Sequence, residues 1–408
     1  MPQFRVRGSG HLIVDPPLVQ EVLASRLFIR PPFFRKAFGE GLLLAEGERW
    51  SLARKTIQPM LSAKRVQDHA PVIAMCVDEL AEQWTIAAGK NETVELVADI
   101  AALVLRITTR TLLGHDLGMD FSRARSIVRL TAASNQLAGL GVFDPKAMVN
   151  PALMLSLRDE RAAVESLAEE LLSIRTGSSP AASDVDDLLG RLLAPTFIDA
   201  PVAEGGCPIG KAGLVDELVL LLLASVETTT ASTGNAIELL TANPRALAAM
   251  REESARAEAE NPYRLACFRE TLRLRPPVWF NGRCATEALT LSSGDAIASG
   301  DHVYLCPYLM HRDANVFDNV ESFQPERFIG PSAVREGPSY MPFGLGRHYC
   351  VGAGLATSIA MQILGTLVAR FDIEILENPT HGPDGGFLLG PEFASRARLW
   401  PTAATEST

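Results

Sequence analysis

From Leu214 to Ala242 the chain runs without a proline, with apolar residues spaced as on a helix, until Asn243-Pro244 stops it. At 1.5 Å per residue such a helix is about 40 Å long, the width of a whole domain. Its middle, Leu218 to Val226, is so apolar that it belongs inside the protein. That stretch is far too short to span a bilayer, which needs about 20 apolar residues. The opening segment, MPQFRVRGSGHLIVDPP, has no apolar run of the kind a signal peptide or anchor carries. The expectation is a cytoplasmic protein with no membrane anchor.

The other segments read as more helix with a little strand. Residues 4–14 suggest a strand or hairpin, and Asp15-Pro16 reads as an N-cap followed by proline, opening a helix through Ala24. Residues 49–174 are mostly helical in spacing, with breaks at Gly114-His115 and near Pro145 and Pro151. Residues 176–184 and 195–211 read as loops. Helix continues to Leu274, where Arg275-Pro276-Pro277 ends it. Residues 278–306 carry strand and turn signals, including Gly294-Asp295 and Gly300-Asp301. A small-residue helix is expected from about Val351 to Arg370, followed by strands and a Gly-rich turn to Trp400. The pattern is mainly α with minor β, without an internal repeat, in one domain spanning 1–408. With 38 Lys and Arg against 48 Asp and Glu, the net charge of −10 argues against nucleic acid as a partner.

The six cysteines are scattered, with no CxxC pair, so neither a disulfide framework nor a zinc site is expected. One of them stands out. In Pro342-Phe343-Gly344-Leu345-Gly346-Arg347-His348-Tyr349-Cys350-Val351-Gly352, Cys350 sits just before a helix, behind a loop that needs glycines. Backbone N–H groups and a helix N-terminus lower the pKa of such a thiol, and the thiolate can ligate a metal. The glycines let the backbone approach a flat cofactor, and His348 can aim a donor at an anion. The string matches F-x-x-G-x-[HR]-x-C-x-G and resembles the haem-ligand signature of the cytochrome P450 family, which implies haem b with Cys350 on the iron.

Other segments agree with that resemblance in order. Glu270-Thr271-Leu272-Arg273 resembles the family's ExxR, whose two charged residues share one helix face. The resemblance implies a structural lock onto a downstream arginine, here Arg327 in Phe323-Gln324-Pro325-Glu326-Arg327-Phe328. Trp50-Ser51-Leu52-Ala53-Arg54 resembles W-x-x-x-R, in which an indole N–H and a guanidinium can both donate to a carboxylate. Haem carries two propionates, and the family resemblance implies Trp50, Arg54, Arg283 and His348 as their donors, with Phe343 beside the cofactor. Ala224-Ser225-Val226-Glu227-Thr228-Thr229 resembles [AG]-G-x-[DE]-T-[TS], departing from it at Ser225. A serine there can bond back to an i−4 carbonyl or point at substrate. Glu227 and Thr228 are the implied catalytic pair.

The resemblance covers about residues 10–400, although Trp50 lies closer to the start than is usual in the family. It implies a P450 fold with the long helix over a buried haem. Substrate-facing positions would be Phe33, Phe34, Phe38 and Leu42, Leu220 to Thr228, Val278 to Phe280, and Phe387 to Leu389, which suit a mid-sized lipophilic molecule. The implied activity is that of a monomeric O2-dependent monooxygenase, fed by an external ferredoxin and ferredoxin reductase, since no flavin or ferredoxin segment is found in the 408 residues. Arg49, Lys55, Lys64 and Arg347 would make a basic docking face near Cys350. The alternative is a haem-thiolate protein of other chemistry: peroxide-driven oxidation, rearrangement or ligand binding. The Glu227-Thr228 pair separates the two, because supplying protons to oxygen needs it and holding haem does not.

Overall fold

A computed structural model describes residues 4–6, 10–32, 35, 39–143, 151–178, 186–201, 208–256, 261–376 and 395–402. The α-helices are α1 (Pro16–Ala24), α2 (Gly47–Ile57), α3 (Ala63–Gly89), α4 (Leu96–Leu112), α5 (Phe121–Phe143), α6 (Pro151–Ser178), α7 (Leu188–Leu193), α8 (Pro195–Ile198), α9 (Gly210–Ala242), α10 (Pro244–Ala255), α11 (Pro262–Leu274), α12 (Pro307–Met310) and α13 (Ala353–Ile363). None among the described residues is long and apolar enough to cross a membrane. Phe33, Phe34, Phe38 and Phe387 to Leu389 lie outside the described residues.

Helix α9 is the expected long helix, extended four residues towards the N-terminus by Gly210, whose φ of +63° lets the chain turn into it. Leu214, Leu218, Val219, Leu222 and Val226 are buried along it. It packs on α4, α5 and α6. Helix α4 has the better reason to be central: every residue from Leu96 to Ile107 except Asp99 is buried, and its apolar side chains join those of α3, α9 and α13 in one core.

Strands β1 (Phe4–Val6), β2 (Gly10–Ile13), β3 (Phe28–Ile29), β5 (Asn281–Ala285) and β8 (His302–Leu305) form one sheet in the order β1-β2-β8-β5-β3. The 4–14 hairpin and the Asp15 cap are as expected, with Asp15 Oδ1 accepting from Leu18 N at 3.3 Å. Strand β3 pairs antiparallel with β5, Ile29 opposite Cys284. That register brings Arg30 beside Arg283. Strands β4 (Thr93–Glu95), β9 (Phe371–Ile375) and β10 (Arg396–Pro401) make a second sheet, and β6 (Leu289–Thr290) pairs with β7 (Ala296–Ile297). The 49–174 reading missed β4, a three-residue strand whose partner β10 comes from the far end of the chain.

The small-residue helix α13 runs on to residue 370 through a π-turn at Leu364–Val368. There the Arg264 guanidinium lies where a Gly365 Cβ would be, and its Nη1 donates to Met361 O at 3.3 Å, the kind of insertion that opens a helical ladder.

Behind the cysteine loop, Glu270 and Arg273 are fully buried. Arg273 Nε and Nη2 donate to the two carboxylate oxygens at 2.7 and 2.8 Å. Arg327 Nε donates to Glu270 Oε1 at 3.3 Å, and Gln324 N donates to the same oxygen at 2.9 Å. This is the expected lock. It continues through His311, whose carbonyl accepts from Arg273 Nη1 at 3.0 Å and whose Nε2 accepts from Met341 N at 3.0 Å. Burial pushes His311 down to about 3, so it is neutral, as that acceptor role requires.

Candidate functional site

Past Met341 the chain turns back on itself. Gly344 N donates to Met341 O at 3.0 Å, Tyr349 N to Gly346 O at 3.1 Å, and Cys350 N to Phe343 O at 2.9 Å. Gly344 and Gly346 have φ of +77° and +69°, and a Cβ on Gly346 would lie 3.6 Å from Leu23 O. The loop hands Cys350 to the start of α13. Burial raises its thiol pKa, while the Gly352 N–H, Arg54, the Ala353 N–H and Arg30 act in the opposite sense. These are groups that stabilise a thiolate and orient it as a ligand. Phe343 packs against the main core and lies 6.4 Å, ring to ring, from Tyr349.

Cationic side chains converge next to this loop. On α2, Arg54 Nη1 donates to Tyr349 O at 2.6 Å and Nε to Gln58 Oε1 at 2.8 Å. The Trp50 ring stands edge-on to His348 at 5.0 Å, and Arg347 lies 4.7 Å over the Trp50 ring. Arg283 is 3% exposed, with Nη1 donating to Gly282 O at 2.8 Å and to Asn281 Oδ1 at 2.5 Å. Burial pushes His348 down to about 3, and Arg30, Arg283, Arg347 and Arg54 all push the same way. Burial lowers Arg283 to about 9, with Arg30 adding to the effect and Glu46 opposing it. Burial likewise lowers Arg30 to about 10, against Glu46 and Cys350. Three guanidiniums, those of Arg30, Arg283 and Arg347, therefore face one carboxylate, Glu46, which accepts from Arg30 N at 3.3 Å and lies 3.8 Å from Arg347 Nη2. Nε of Arg30 and Nε of Arg347 are buried without a partner among the described residues. A site built this way is short of anions.

On α9, Thr228 Oγ1 donates to Ala224 O at 2.6 Å, and Ala224 beside it is exposed. Ser225 Oγ donates to Leu222 O at 3.2 Å, three residues back rather than four. Glu227 stands one residue before Thr228, about 100° round the helix from it. Its Oε2 is buried without a partner among the described residues, and burial raises the carboxyl to about 8, with the Thr131 hydroxyl acting in the opposite sense. The hydroxyl and the acid thus leave the helix in different directions.

A family model for cytochrome P450 matches residues 6–393. The chain belongs to the cytochrome P450 family. It is 28% identical over 399 residues to a cyclooctat-9-en-7-ol 5-monooxygenase of Streptomyces melanosporofaciens, covering 91% of this chain and 82% of that one. It is 28% identical over 385 residues to a cyclooctatin synthase of the same organism, covering 88% of this chain and 80% of that one. With a cytokinin hydroxylase of Arabidopsis thaliana the identity is 26%, over 95% and 79% of the two chains.

This P450 is an oxidoreductase whose family works with haem iron. Its residues fit that group: a thiol faced by helix N–H donors lies beside a buried cationic cluster with orphaned donors, which two carboxylates would complete. The structure brings Trp50, Arg54, Arg283, Phe343, His348 and Cys350 together. Sequence reasoning missed Arg30 and Arg347 as members of the cluster. Arg347 sits in the motif string between Gly346 and His348, so its position was visible. Arg30 carries no local signal, because only the β3–β5 pairing places it.

A groove of about 610 Å³ borders Cys350, lined by Arg54, Lys55, Gln58, Tyr349, Val351 and Gly354 among others, none from α9. It lies on the outer side of the ligand loop. Of the basic face expected there, Lys55 and Lys64 are exposed. Arg49 is not part of it: it is 8% exposed and its Nε donates to Glu40 O at 2.8 Å. Arg347 is half-buried against Trp50 and Glu46.

Proposed function

We propose that this P450 is a monooxygenase that spends O2 on a mid-sized lipophilic molecule, with haem b held by Cys350. A single observation carries the reading: a thiol loop and a cationic cluster lie together in a fold whose long helix offers a hydroxyl on its open side and, one residue earlier, a sequestered acid. When bound, haem with a thiolate behind its iron supplies the electron push that favours O–O cleavage.

The chain's own residues do the rest. Trp50, Arg54, Arg283 and His348, joined by Arg30 and Arg347, bind and orient the two propionates. Phe343 backs the cofactor. Thr228 holds a hydrogen bond to the oxygen substrate or to water beside it. Glu227 supplies protons from the other side of the helix. Leu42, Leu220 and Val278 to Phe280 give the substrate an apolar wall. The names of the relatives, a monooxygenase and a hydroxylase among them, support oxygen insertion. An external ferredoxin and its reductase feed electrons through the groove beside Cys350. The chain works as a monomeric single domain in the cytoplasm, in keeping with free Cys76, Cys267, Cys284, Cys306 and Cys350 among the described residues.

The test starts with the absorption spectrum of the reduced, carbonyl-bound protein, which should be of the thiolate type and be lost in Cys350→Ala. Oxygen uptake is then followed with a ferredoxin, its reductase and NADPH. Thr228→Ala should keep its haem and its oxygen uptake but release a several-fold larger fraction of that oxygen as peroxide. An unchanged peroxide fraction would favour haem-thiolate chemistry without oxygen insertion. Cyclooctat-9-en-7-ol is a first probe for a substrate-induced spin-state change.

A further inference from the structure

Between Gly39 and Leu42, ahead of α2, the chain is held by its backbone N–H groups. Asp216 Oδ2 accepts from Glu40 N at 3.2 Å, and both carboxylate oxygens of Glu217 accept from Leu42 N, at 2.9 and 3.1 Å. Two consecutive carboxyls of α9 thus take two alternate N–H groups of the loop. The Asp216 carboxyl is itself set by Arg161 of α6, whose Nη2 donates to Oδ1 at 2.7 Å, and Arg49 Nε of α2 donates to Glu40 O at 2.8 Å. A Cβ on Gly39 would stand 2.5 Å from Asp216 Cγ, and one on Gly41 would stand 2.8 Å from Leu220 Cδ1, so this close approach needs glycine at both places. Glu217 is 2% exposed. A carboxyl is costly to bury, and among the described residues the hydrogen-bond donor to this one is Leu42 N.

The helical repeat fixes where the loop lies relative to the oxygen end of the site. Glu217 and Thr228 are eleven residues apart on α9. At 100° and 1.5 Å per residue they leave the helix within about 20° of each other, about 16 Å apart along its axis. Half-buried Leu221 and exposed Ala224 lie between them on the same stripe. The open side of α9 therefore has Thr228 at one end and the loop from Gly39 to Leu42 at the other. What separates them is the length of an extended mid-sized molecule. The loop is set in place from beneath, by carboxyls of the helix, and not by the apolar side chains it presents.

We infer that Glu217, with Asp216 beside it, is a positioning residue for substrate length: the clasp fixes the loop that closes the far end of the space along Thr228, and so sets the longest molecule the site admits. The inference rests on the monooxygenase reading, in which Thr228 marks the oxygen end and Leu42 belongs to the substrate wall. A tether that served stability alone would leave the length preference unmoved when it was cut.

The experiment uses the haem-loaded full chain as wild type, Glu217→Gln, Glu217→Met and Gly39→Ala, with haem content and the reduced carbonyl spectrum as controls. Glu217→Gln keeps an acceptor for Leu42 N, and Glu217→Met removes it at similar volume. Gly39→Ala lifts the loop while both carboxyls stay intact, so it carries the test if Glu217→Met folds poorly. The probes are 1-alkylimidazoles from methyl to dodecyl, whose ring nitrogen binds haem iron and whose tail extends into the cavity, titrated by the shift of the haem absorption band. In the wild type, affinity should rise with each methylene and fall beyond one length. Glu217→Met and Gly39→Ala should both move that cut-off to longer tails. They should bind 1-dodecylimidazole about tenfold tighter than the wild type does, the effect of roughly two more buried methylenes, with 1-methylimidazole unchanged to within about twofold. Glu217→Gln should keep the wild-type cut-off. One cut-off shared by all four proteins overturns the inference. So does a cut-off moved as far in Glu217→Gln as in Glu217→Met, because the acceptor is then not what holds the loop. The titration needs no turnover, so a moved cut-off beside an unchanged peroxide fraction in Thr228→Ala would overturn the monooxygenase reading and leave the clasp's control of ligand length standing.

Discussion

Arg30 and Arg283 are far apart in sequence, and strand pairing sets them side by side against His348. Their like charges oppose each other, so each is well placed to receive an anion. Arg30→Gln should therefore speed the loss of haem to an acceptor globin by about tenfold, the size expected when one buried charge-assisted hydrogen bond is removed. Its effect on the unfolding of the haem-free chain should be small, because repulsion is relieved as well. An unchanged rate of haem transfer would exclude Arg30 from the anion site. At this scale the motif residues were legible because their chemistry is local. Cys350, His348 and Phe343 share one loop, and Trp50 and Arg54 share one helix face, so spacing alone groups them. Arg30 was not legible because its neighbours are set by sheet register.

Helix α9 does more than cross the fold. At its N-terminal end Asp216 Oδ2 accepts from Glu40 N at 3.2 Å, and its other oxygen pairs with Arg161 on α6 at 2.7 Å. Glu217 accepts from Leu42 N at 2.9 and 3.1 Å. One turn of helix thus fastens the loop before α2 and the helix α6 together. Gly39, with φ of +78°, is required there because a Cβ would strike the Asp216 carboxyl. Burial raises Glu217 to about 7, against the pull of the Leu42 N–H and Arg49. Between the ordinary carboxyl value of 4.5 and about 7, the folded chain holds a proton that the unfolded chain has lost. The stability Glu217 contributes is thus whole below that window and falls as pH rises through it, by at most about 3 kcal/mol. Glu217→Gln should flatten that part of the profile, as measured by denaturant unfolding at pH 5, 6 and 7.5. Parallel profiles for the two proteins would refute the assignment. The existence of these elements was legible from periodicity, proline stops and the Asp15 cap. Strand β4 was not, since three residues carry no period and its partner lies at the other end of the chain.

The whole molecule carries a net charge of −10, yet the groove beside the ligand loop offers Lys55 beside Arg54, with Lys64 exposed two residues past Ser62 in its lining. An acidic ferredoxin, the partner proposed above, would be repelled in general and attracted in one place, which would favour a single docking orientation. Its association rate should fall steeply with added salt, and Lys55→Glu should lower the rate several-fold at low ionic strength while leaving the carbonyl spectrum intact. Reduction kinetics that ignore both salt and the charge reversal would place docking elsewhere. The fold class was legible at this scale because the long apolar helix and the ordered motifs agree with one another. Electrostatic layout was less so: Arg49 reads as a surface base in sequence and is buried under Glu40. The crowded guanidiniums around His348 have a further consequence, for supply rather than catalysis. A fold that gathers four guanidiniums around one histidine gains stability from whatever anion completes the cluster, and that gain follows mass action, about 2.7 kcal/mol when free ligand stands at one hundred times its Kd. The amount of folded protein in a cell is thereby tied to the porphyrin and iron available when the chain is made, so scarcity would thin the population of molecules before it dimmed the activity of any one of them.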